Sequence, residues 1–166
     1  DGDAWPAGWR MGCTSLRLDP CGCGATDWGK FVRCSGKRDL LRITEVYLLG
    51  QELSGVLPAQ IGLLDALVSL SIVESRVRGP LPDALGSLDA LEMIWLDNNP
   101  LLNGSIPASF VRLGERLTAV ELSNSAFGGV LPALPWSRIP DCTLNGLTFE
   151  CPLPPGAATS CGARCR

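Results

Sequence analysis

The chain has 166 residues and a net charge of -3 at pH 7, from 14 basic and 17 acidic residues. Hydrophobic residues make up 46% of it and aromatic residues only 6%, so we expect one domain with an aliphatic core. The lack of a basic stripe disfavours nucleic-acid binding. No apolar run in the chain approaches the roughly 18 residues that a membrane span requires.

Cysteines form two terminal clusters. The eight residues are Cys13, Cys21, Cys23 and Cys34 near the start, and Cys142, Cys151, Cys161 and Cys165 near the end. An even number in two clusters is typical of disulfide-stapled caps and of an oxidising compartment. Two zinc sites are the alternative, but Cys21 and Cys23 are too close for the usual C-x2-C spacing and the chain has no histidine. We therefore expect disulfides at both ends and no bound metal.

Between the clusters, a short motif recurs at a fixed interval. The pattern G-x-[LI]-P occurs at residues 55–58, 79–82, 104–107 and 129–132, with the glycines 24 or 25 residues apart. An altered copy at residues 151–154 has Cys151 in the glycine place. A repeat of this length indicates a solenoid, in which each coil buries its apolar face only by stacking on its neighbours.

An apolar pattern of the form LxxLxL precedes each motif. The coils start at residues 43, 67, 91 and 117, and a partial fifth coil starts at residue 139. The alternation within each pattern predicts a short strand with its leucines pointing inward, and adjacent strands then form a parallel sheet. We divide the chain into a cysteine-rich N-terminal cap (1–42), the repeats (43–138), and a segment with the partial last repeat and a C-terminal cap (139–166).

The coils resemble the plant-type extracellular leucine-rich repeat, LxxLxxLxLxxNxLxGxIPxxLGxL, most closely over residues 67–88. Residues 19–34, which begin Asp19-Pro20-Cys21, resemble that family's N-terminal cap, and residues 142–165 resemble a C-terminal cap. The resemblance implies an α/β-repeat solenoid of about five coils, with a short parallel sheet on its concave face and a disulfide cap at each end. It also implies a secreted or cell-surface protein, as in receptor ectodomains and inhibitors of wall-degrading enzymes.

Spacing alone permits three disulfide connectivities in each cluster of four cysteines. The resemblance implies the pairs Cys13–Cys21 and Cys23–Cys34 in the first cap. For the second cap it implies Cys142–Cys151 and Cys161–Cys165.

Two departures from the family pattern are evident. The consensus turn asparagine occurs once, as Asn99. The other coils carry Gln51, Ser75, Ser125 and Leu147 at that position. We therefore expect a less regular ladder of side-chain hydrogen bonds along the turns. In the fourth coil, Leu134-Pro135-Trp136 replaces the expected small helical turn.

Side chains that alternate with the inward leucines point outward from the concave sheet and stack into rows across the coils. The rows combine aromatic, apolar and acidic residues, as interface anchors and sugar-stacking sites do. The predicted ligand-binding residues are Tyr47, Ser71, Glu74, Met93, Trp95, Asp97 and Glu121. For the acidic residues we favour the alternative of ordinary sheet-surface positions, whereas Trp95 favours binding.

The remaining tryptophans and the one glycosylation sequon have separate interpretations. Core packing is predicted for the tryptophans outside the concave sheet, which are Trp5, Trp9, Trp28 and Trp136. Asn103-Gly104-Ser105 matches N-x-[ST], so Asn103 is a predicted glycan acceptor on the side away from the concave sheet.

Two functions are compatible with this pattern. The first is an extracellular recognition module that binds a protein, peptide or glycan through the concave face. The second is a structural subunit of an extracellular coat, matrix or filament that self-associates. Catalysis is disfavoured because the chain has no histidine for a Ser-His-Asp or Cys-His site, although Asp97 and Glu121 on adjacent strands are a conceivable carboxylate pair. We predict no catalytic residues and no cofactor.

Overall fold

A computed structural model of the chain describes residues 30–36, 41–50 and 53–166. Each coil contributes one strand to a six-stranded sheet, which corresponds to the predicted concave sheet. In spatial order its strands are β1 (Lys30–Ser35), β2 (Arg42–Leu49), β4 (Ser69–Val73), β6 (Met93–Trp95), β8 (Ala119–Glu121) and β10 (Asp141–Thr143). From β2 to β10 every neighbouring pair is parallel, as the repeat predicts.

The first strand departs from the predicted parallel arrangement. β1 pairs antiparallel with β2, with Val32 opposite Val46 and Arg33 opposite Glu45. A parallel neighbour needs a long crossover connection, whereas β1 and β2 are separated by a short link that suits antiparallel pairing. The segment assigned to the N-terminal cap therefore adds a strand to the concave sheet.

A second sheet was not predicted from the sequence. Its four parallel strands are β3 (Ser54–Val56), β5 (Arg76–Gly79), β7 (Leu101–Ser105) and β9 (Ala126–Gly128). The glycines of the first three G-x-[LI]-P motifs each pair with an apolar residue of the next coil: Gly55 with Val77, Gly79 with Leu102 and Gly104 with Phe127. The first residues of these three motifs therefore form the end of a strand, and the sheet that these strands build runs from coil to coil.

Helical turns follow the motif. Three 3-10 turns begin directly after the motif proline and span Ala59–Leu63, Asp83–Ser87 and Ala108–Leu113. The fourth coil does have a 3-10 turn, contrary to expectation, but it is shortened to Trp136–Arg138 and displaced to follow Pro135. One short α-helix, α1 (Ala157–Cys161), and the paired strands β11 (Thr148–Phe149) and β12 (Arg164–Cys165) complete the described chain.

The core confirms the predicted inward positions. The leucine-type residues of the four full coils and of the G-x-[LI]-P motifs are buried, while Ile43 and Cys142 are partly buried against them. Trp136 is fully buried, as predicted, and its indole Nε1 donates a hydrogen bond to the Pro132 carbonyl oxygen at 3.0 Å. The buried aromatic side chains of Phe110 and Phe149 fill the same core.

Recurring glycines mark places where neighbouring coils come close. A Cβ at Gly62 would lie 2.7 Å from the Ala84 Cβ, and one at Gly86 would lie 2.4 Å from the Ser109 Cβ. Gly79 has a positive φ of +80° and lies beneath the side chain of Val56 in the preceding coil. We call the 3-10 turns and the G-x-[LI]-P segments together the stacking layer, since their glycines set the contact between coils.

The C-terminal disulfide pairing inferred from the resemblance is wrong. The bonds are Cys142–Cys161 and Cys151–Cys165, with Cα–Cα distances of 4.8 and 5.4 Å, in place of the expected Cys142–Cys151 and Cys161–Cys165. Helix α1 folds back so that the Cys161 carbonyl accepts a 2.7 Å hydrogen bond from the Leu144 amide, beside β10. Strand β12 places Cys165 opposite Phe149, two residues before Cys151.

At the other end, Cys34 in β1 is disulfide-bonded. The predicted partner Cys23 and the pair Cys13–Cys21 lie outside the described residues, as do Trp5, Trp9, Trp28 and Gln51.

Candidate functional site in the concave face

The strand register aligns the predicted outward residues into rows. Tyr47, Ser71, Trp95 and Glu121 are successive partners across β2, β4, β6 and β8, and Thr143 extends the row on β10. The adjacent row contains Glu45, Ser69, Met93, Ala119 and Asp141. Because side chains two residues apart on a strand share a face, both rows lie on the same surface of the sheet. We call this surface the concave face.

Tyr47 and Trp95 are half-buried on this surface, with Ser71 between them. Ser71, a predicted ligand contact, is only 1% exposed and is therefore buried within the row. Within the described part of the chain its Oγ has no hydrogen-bond partner. A buried hydroxyl without a partner costs about 1–3 kcal/mol, so its retention requires an explanation.

The concave face ends at a row of residues in the left-handed backbone region. Gly50, Glu74, Asn98 and Asn124 have φ values of 54° to 59° at equivalent positions of successive coils. Glycine and asparagine adopt this conformation with little strain, whereas glutamate does not. Glu74, a predicted binding residue, follows the last residue of β4 and is exposed. We call this row of four residues the rim of the concave face.

Hydrogen bonds between side chains reinforce this rim. The Asn124 Nδ2 donates to the Asn98 Oδ1 at 2.8 Å, and the Asn98 Nδ2 donates to the Asp97 Oδ2 at 2.6 Å. Beneath them, the buried Asn99 Nδ2 donates to the carbonyls of Ile72, Leu96 and Asp97 at 2.7 to 3.1 Å. Asn99 also accepts a 3.1 Å bond from the Ser75 amide, so one asparagine ties the second coil to the third.

Acidic residues are unevenly paired across the concave face. At the N-terminal edge, Glu45 forms an ion pair with Arg33 at 2.6 Å. Towards the other edge, Asp97 accepts a hydrogen bond from Asn98, and Glu121 accepts one from Thr143 Oγ1 at 2.8 Å. Neither carboxylate takes part in an ion pair among the described residues. The concave face is therefore neutralised at one end and negative at the other.

The pKa of the Glu121 carboxyl is raised by its surroundings. Partial burial raises the pKa of its carboxyl above the ordinary value, and a hydrogen bond to Asp141 together with the charges of Asp141 and Asp97 raises it further. The hydrogen bond from Thr143 acts in the opposite direction but does not cancel the rise in pKa.

Sequence reasoning missed Asp141 and Thr143. Both lie on β10, and both alternate with the inward Cys142 of the partial fifth coil. The signal was present, because Ile139, Cys142 and Leu144 were recognised as an apolar set whose intervening residues must point outward. The predicted rows nevertheless stop at the fourth coil, because the partial fifth coil is joined to the cysteine-rich cap in residues 139–166.

The described residues contain no group of three or more Cys, Asp or Glu side chains arranged to hold a metal ion. Nor does any helix of the described chain have the length and apolar character to cross a membrane. A groove of about 510 Å³ lies on the opposite side of the coils, lined by second-sheet residues such as Gly104 and Phe127 together with Arg166.

The sequence of the chain was compared with family models and with known proteins. No protein-family model matches the chain. Over 109 residues, 66% of its length, the chain is 28% identical to the receptor-like kinase TMK2 of Arabidopsis thaliana, of which it spans only 11%.

Two solved structures match a larger part of the chain. The chain is similar to a chain of the BIR3–SERK2 complex from Arabidopsis thaliana, with 26% identity and a TM-score of 0.68, covering 81% of this chain and 73% of that one. It shares its fold with the leucine-rich-repeat ectodomain of the receptor kinase SOBIR1 from Arabidopsis thaliana, with 22% identity, a TM-score of 0.63, and coverage of 84% and 78%.

A third match is a chain of the Arabidopsis receptor kinase HAESA in complex with the peptide hormone IDA and the co-receptor SERK1. It has 26% identity and a TM-score of 0.54, and covers 61% of this chain and 17% of that one. The repeat spacing, the stacked sheets and these matches together show that the chain is a leucine-rich-repeat solenoid similar to plant receptor-kinase ectodomains, and two disulfides join the cysteines of its last segment.

Proposed function

We propose that the chain is an extracellular recognition module that binds a peptide, protein or glycan through its concave face and catalyses no reaction. The observation that carries this proposal is the row of Tyr47, Ser71, Trp95 and Glu121, which places two half-buried aromatic rings beside acids without a cationic partner among the described residues. Aromatic anchors on a rigid sheet are typical of binding sites. The peptide-bound HAESA complex supports a ligand role for this repeat type.

A binding screen with matched variants tests this proposal. Peptide and glycan arrays are probed with the wild-type chain, with Trp95→Ala and Tyr47→Ala, and with Leu63→Ala as a control. Leu63 is an exposed apolar residue on a 3-10 turn, away from the concave face, so its truncation should leave binding unchanged. Retained ligands should be lost with Trp95→Ala. Equal retention by all four proteins would place the binding surface elsewhere.

Self-association into a coat or filament is the second candidate. It is favoured by apolar side chains exposed on the second sheet, where Val56 and Leu101 flank Arg78 in the register. Light scattering after size-exclusion distinguishes the two functions. A monomer supports recognition, whereas a large assembly that Val56→Ser and Leu101→Ser dissolve would support the structural role.

The extracellular location carries its own test. Asn103 is exposed on β7 of the second sheet, so a glycan there would leave the concave face open. Secretion from eukaryotic cells should yield a chain whose mass falls after enzymatic removal of N-glycans. Asn103→Gln should have the mass of the deglycosylated chain without enzyme treatment. A secreted wild-type chain of unmodified mass would contradict the proposed glycan on Asn103.

A further inference from the structure

The C-terminal half of the concave face has three acidic residues on successive coils. They are Asp97 after β6, Glu121 on β8 and Asp141 on β10. Ion pairs in the described chain join Arg33 to Glu45, Arg42 to Asp65 and Arg138 to Glu115, and none of them involves these three carboxylates. Their shared surface therefore has a negative charge that the described part of the protein leaves uncompensated.

Ser71 supplies a second and independent observation on the same surface. It lies two strands from Glu121 in the same row, between Tyr47 and Trp95 on the neighbouring strands, and its buried Oγ has no hydrogen-bond partner among the described residues. Alanine would fill the same space without a desolvated hydroxyl, so the serine is poorly explained by packing. A ligand that moves the flanking rings apart and bonds to this hydroxyl accounts for it.

The spacing along this row defines what can reach both features. Ser71 and Glu121 are two strand spacings apart, or about 10 Å at ~4.8 Å per strand. An extended peptide covers that distance in about three residues. Between them lie Trp95 and, in the adjacent row, the half-buried Met93, which offer apolar contact area.

We propose that the concave face binds an extended basic peptide, in which an apolar side chain packs beside Ser71 and a Lys or Arg three residues away pairs with Glu121, Asp141 and Asp97. This inference rests on the proposed function and specifies the ligand of that same site. A neutral glycan would leave the three carboxylates unneutralised, and an acidic glycan would be repelled by them. Only a ligand with both an apolar group and a positive charge therefore contacts the aromatic rings and also neutralises the acids.

The experiment uses a library of synthetic ten-residue peptides presented to the whole chain. Retained peptides should be enriched in the pattern apolar-x-x-[Lys/Arg], and replacing their Lys or Arg with Gln should weaken binding at least tenfold. The double variant Glu121→Gln, Asp141→Asn should lose a similar factor. Glu115→Gln, an exposed carboxylate outside the concave face, is the matched control and should stay within twofold of wild type. Raising the salt concentration should weaken wild type more than the double variant.

Ser71→Ala separates a ligand contact from a structural role. Because the hydroxyl has no partner among the described residues, its removal should leave the Tm unchanged or higher while weakening the selected peptides severalfold. Ser75→Ala is the matched substitution: its Oγ donates to the Val73 carbonyl at 3.3 Å, so its loss should lower the Tm and leave affinity unchanged. A lower Tm with full affinity for Ser71→Ala would overturn the role assigned to this hydroxyl.

The remaining outcomes distinguish the two proposals. Peptides or glycans that bind in a Trp95-dependent manner without any preference for Lys or Arg would refute the basic-peptide inference and leave the recognition function standing. Failure of every peptide and glycan to bind, or binding that ignores both Trp95 and Tyr47, would refute both.

Discussion

The concave face and the stacking layer are built by the same coils but constrain their residues in opposite ways. On the concave face the equivalent residues Tyr47, Ser71, Trp95 and Glu121 share neither size nor charge. In the stacking layer the equivalent residues Gly62 and Gly86 are both glycine, because the next coil lies too close for a side chain. Contacts between coils therefore determine the repeated residues, and the positions that escape those contacts are available for recognition.

The strongest test of this comparison is Gly86→Ala. Gly86 is not in a positive-φ conformation, so the backbone accepts alanine, but the new Cβ would lie 2.4 Å from the Ser109 Cβ. We expect the free energy of unfolding to fall by about 3 kcal/mol, as for an overpacked core. Urea denaturation measures the change.

Two controls separate crowding from other effects. Gly146→Ala has open space around the new Cβ but a φ of +82°, so it should cost only about 1 kcal/mol. Ser123→Ala, two residues beyond Glu121 at the end of β8, should change stability by less than ~0.5 kcal/mol. Equal losses for all three variants would remove the distinction between the two regions.

Asn99→Ala tests the boundary where the two regions meet. The substitution removes bonds to three carbonyls and one amide in a fully buried position, and we expect a loss of about 2 kcal/mol. Asn103→Ala is the control, since this exposed residue makes a single weak bond to the Leu101 carbonyl at 3.3 Å. A thermal shift as small for Asn99→Ala as for Asn103→Ala would show that the buried asparagine does not hold the coils together.

A stabilising change is expected at the rim of the concave face. Glu74 occupies a left-handed conformation that Asn98 and Asn124 share, so Glu74→Asn should raise the free energy of unfolding by roughly 0.5–1 kcal/mol. Glu92→Asn, at an exposed site without positive φ, should give no such gain. If both variants melt at the wild-type temperature, the backbone at residue 74 is not strained.

The smallest effect concerns the ionisation of Glu121. Its pKa is raised in the folded state, so the stability it contributes is present below the ordinary carboxyl pKa and is lost as pH rises through the raised pKa. Glu121→Gln should therefore be more stable than wild type at neutral pH, and the difference should shrink on acidification. Melting curves from pH 3 to 8 test this, with Glu115→Gln as the control; an advantage that grows towards acid pH would contradict the sign.

Much of the architecture followed from spacing alone. The recurring glycines and leucines predicted the coils, the inward residues and the register of Tyr47 with Trp95, since a solenoid repeats one local solution. The second sheet was missed because its strands are short and their glycines and prolines are typical of turns. Asp141 was not predicted because its coil is incomplete and has Cys142 in place of a leucine, so its strand pattern is weak.

The sequence by itself determined which apolar residues of the repeat are buried, since apolar periodicity reflects contacts that every coil makes with its neighbours. Only the tertiary structure decided which cysteines meet, because α1 and β12 fold back over residues distant along the chain. It also decided that Ser71 is buried and that Glu121 lies beside Asp141, because burial and electrostatic field depend on side chains from neighbouring coils. These properties belong to no single coil, so no pattern within one repeat can encode them.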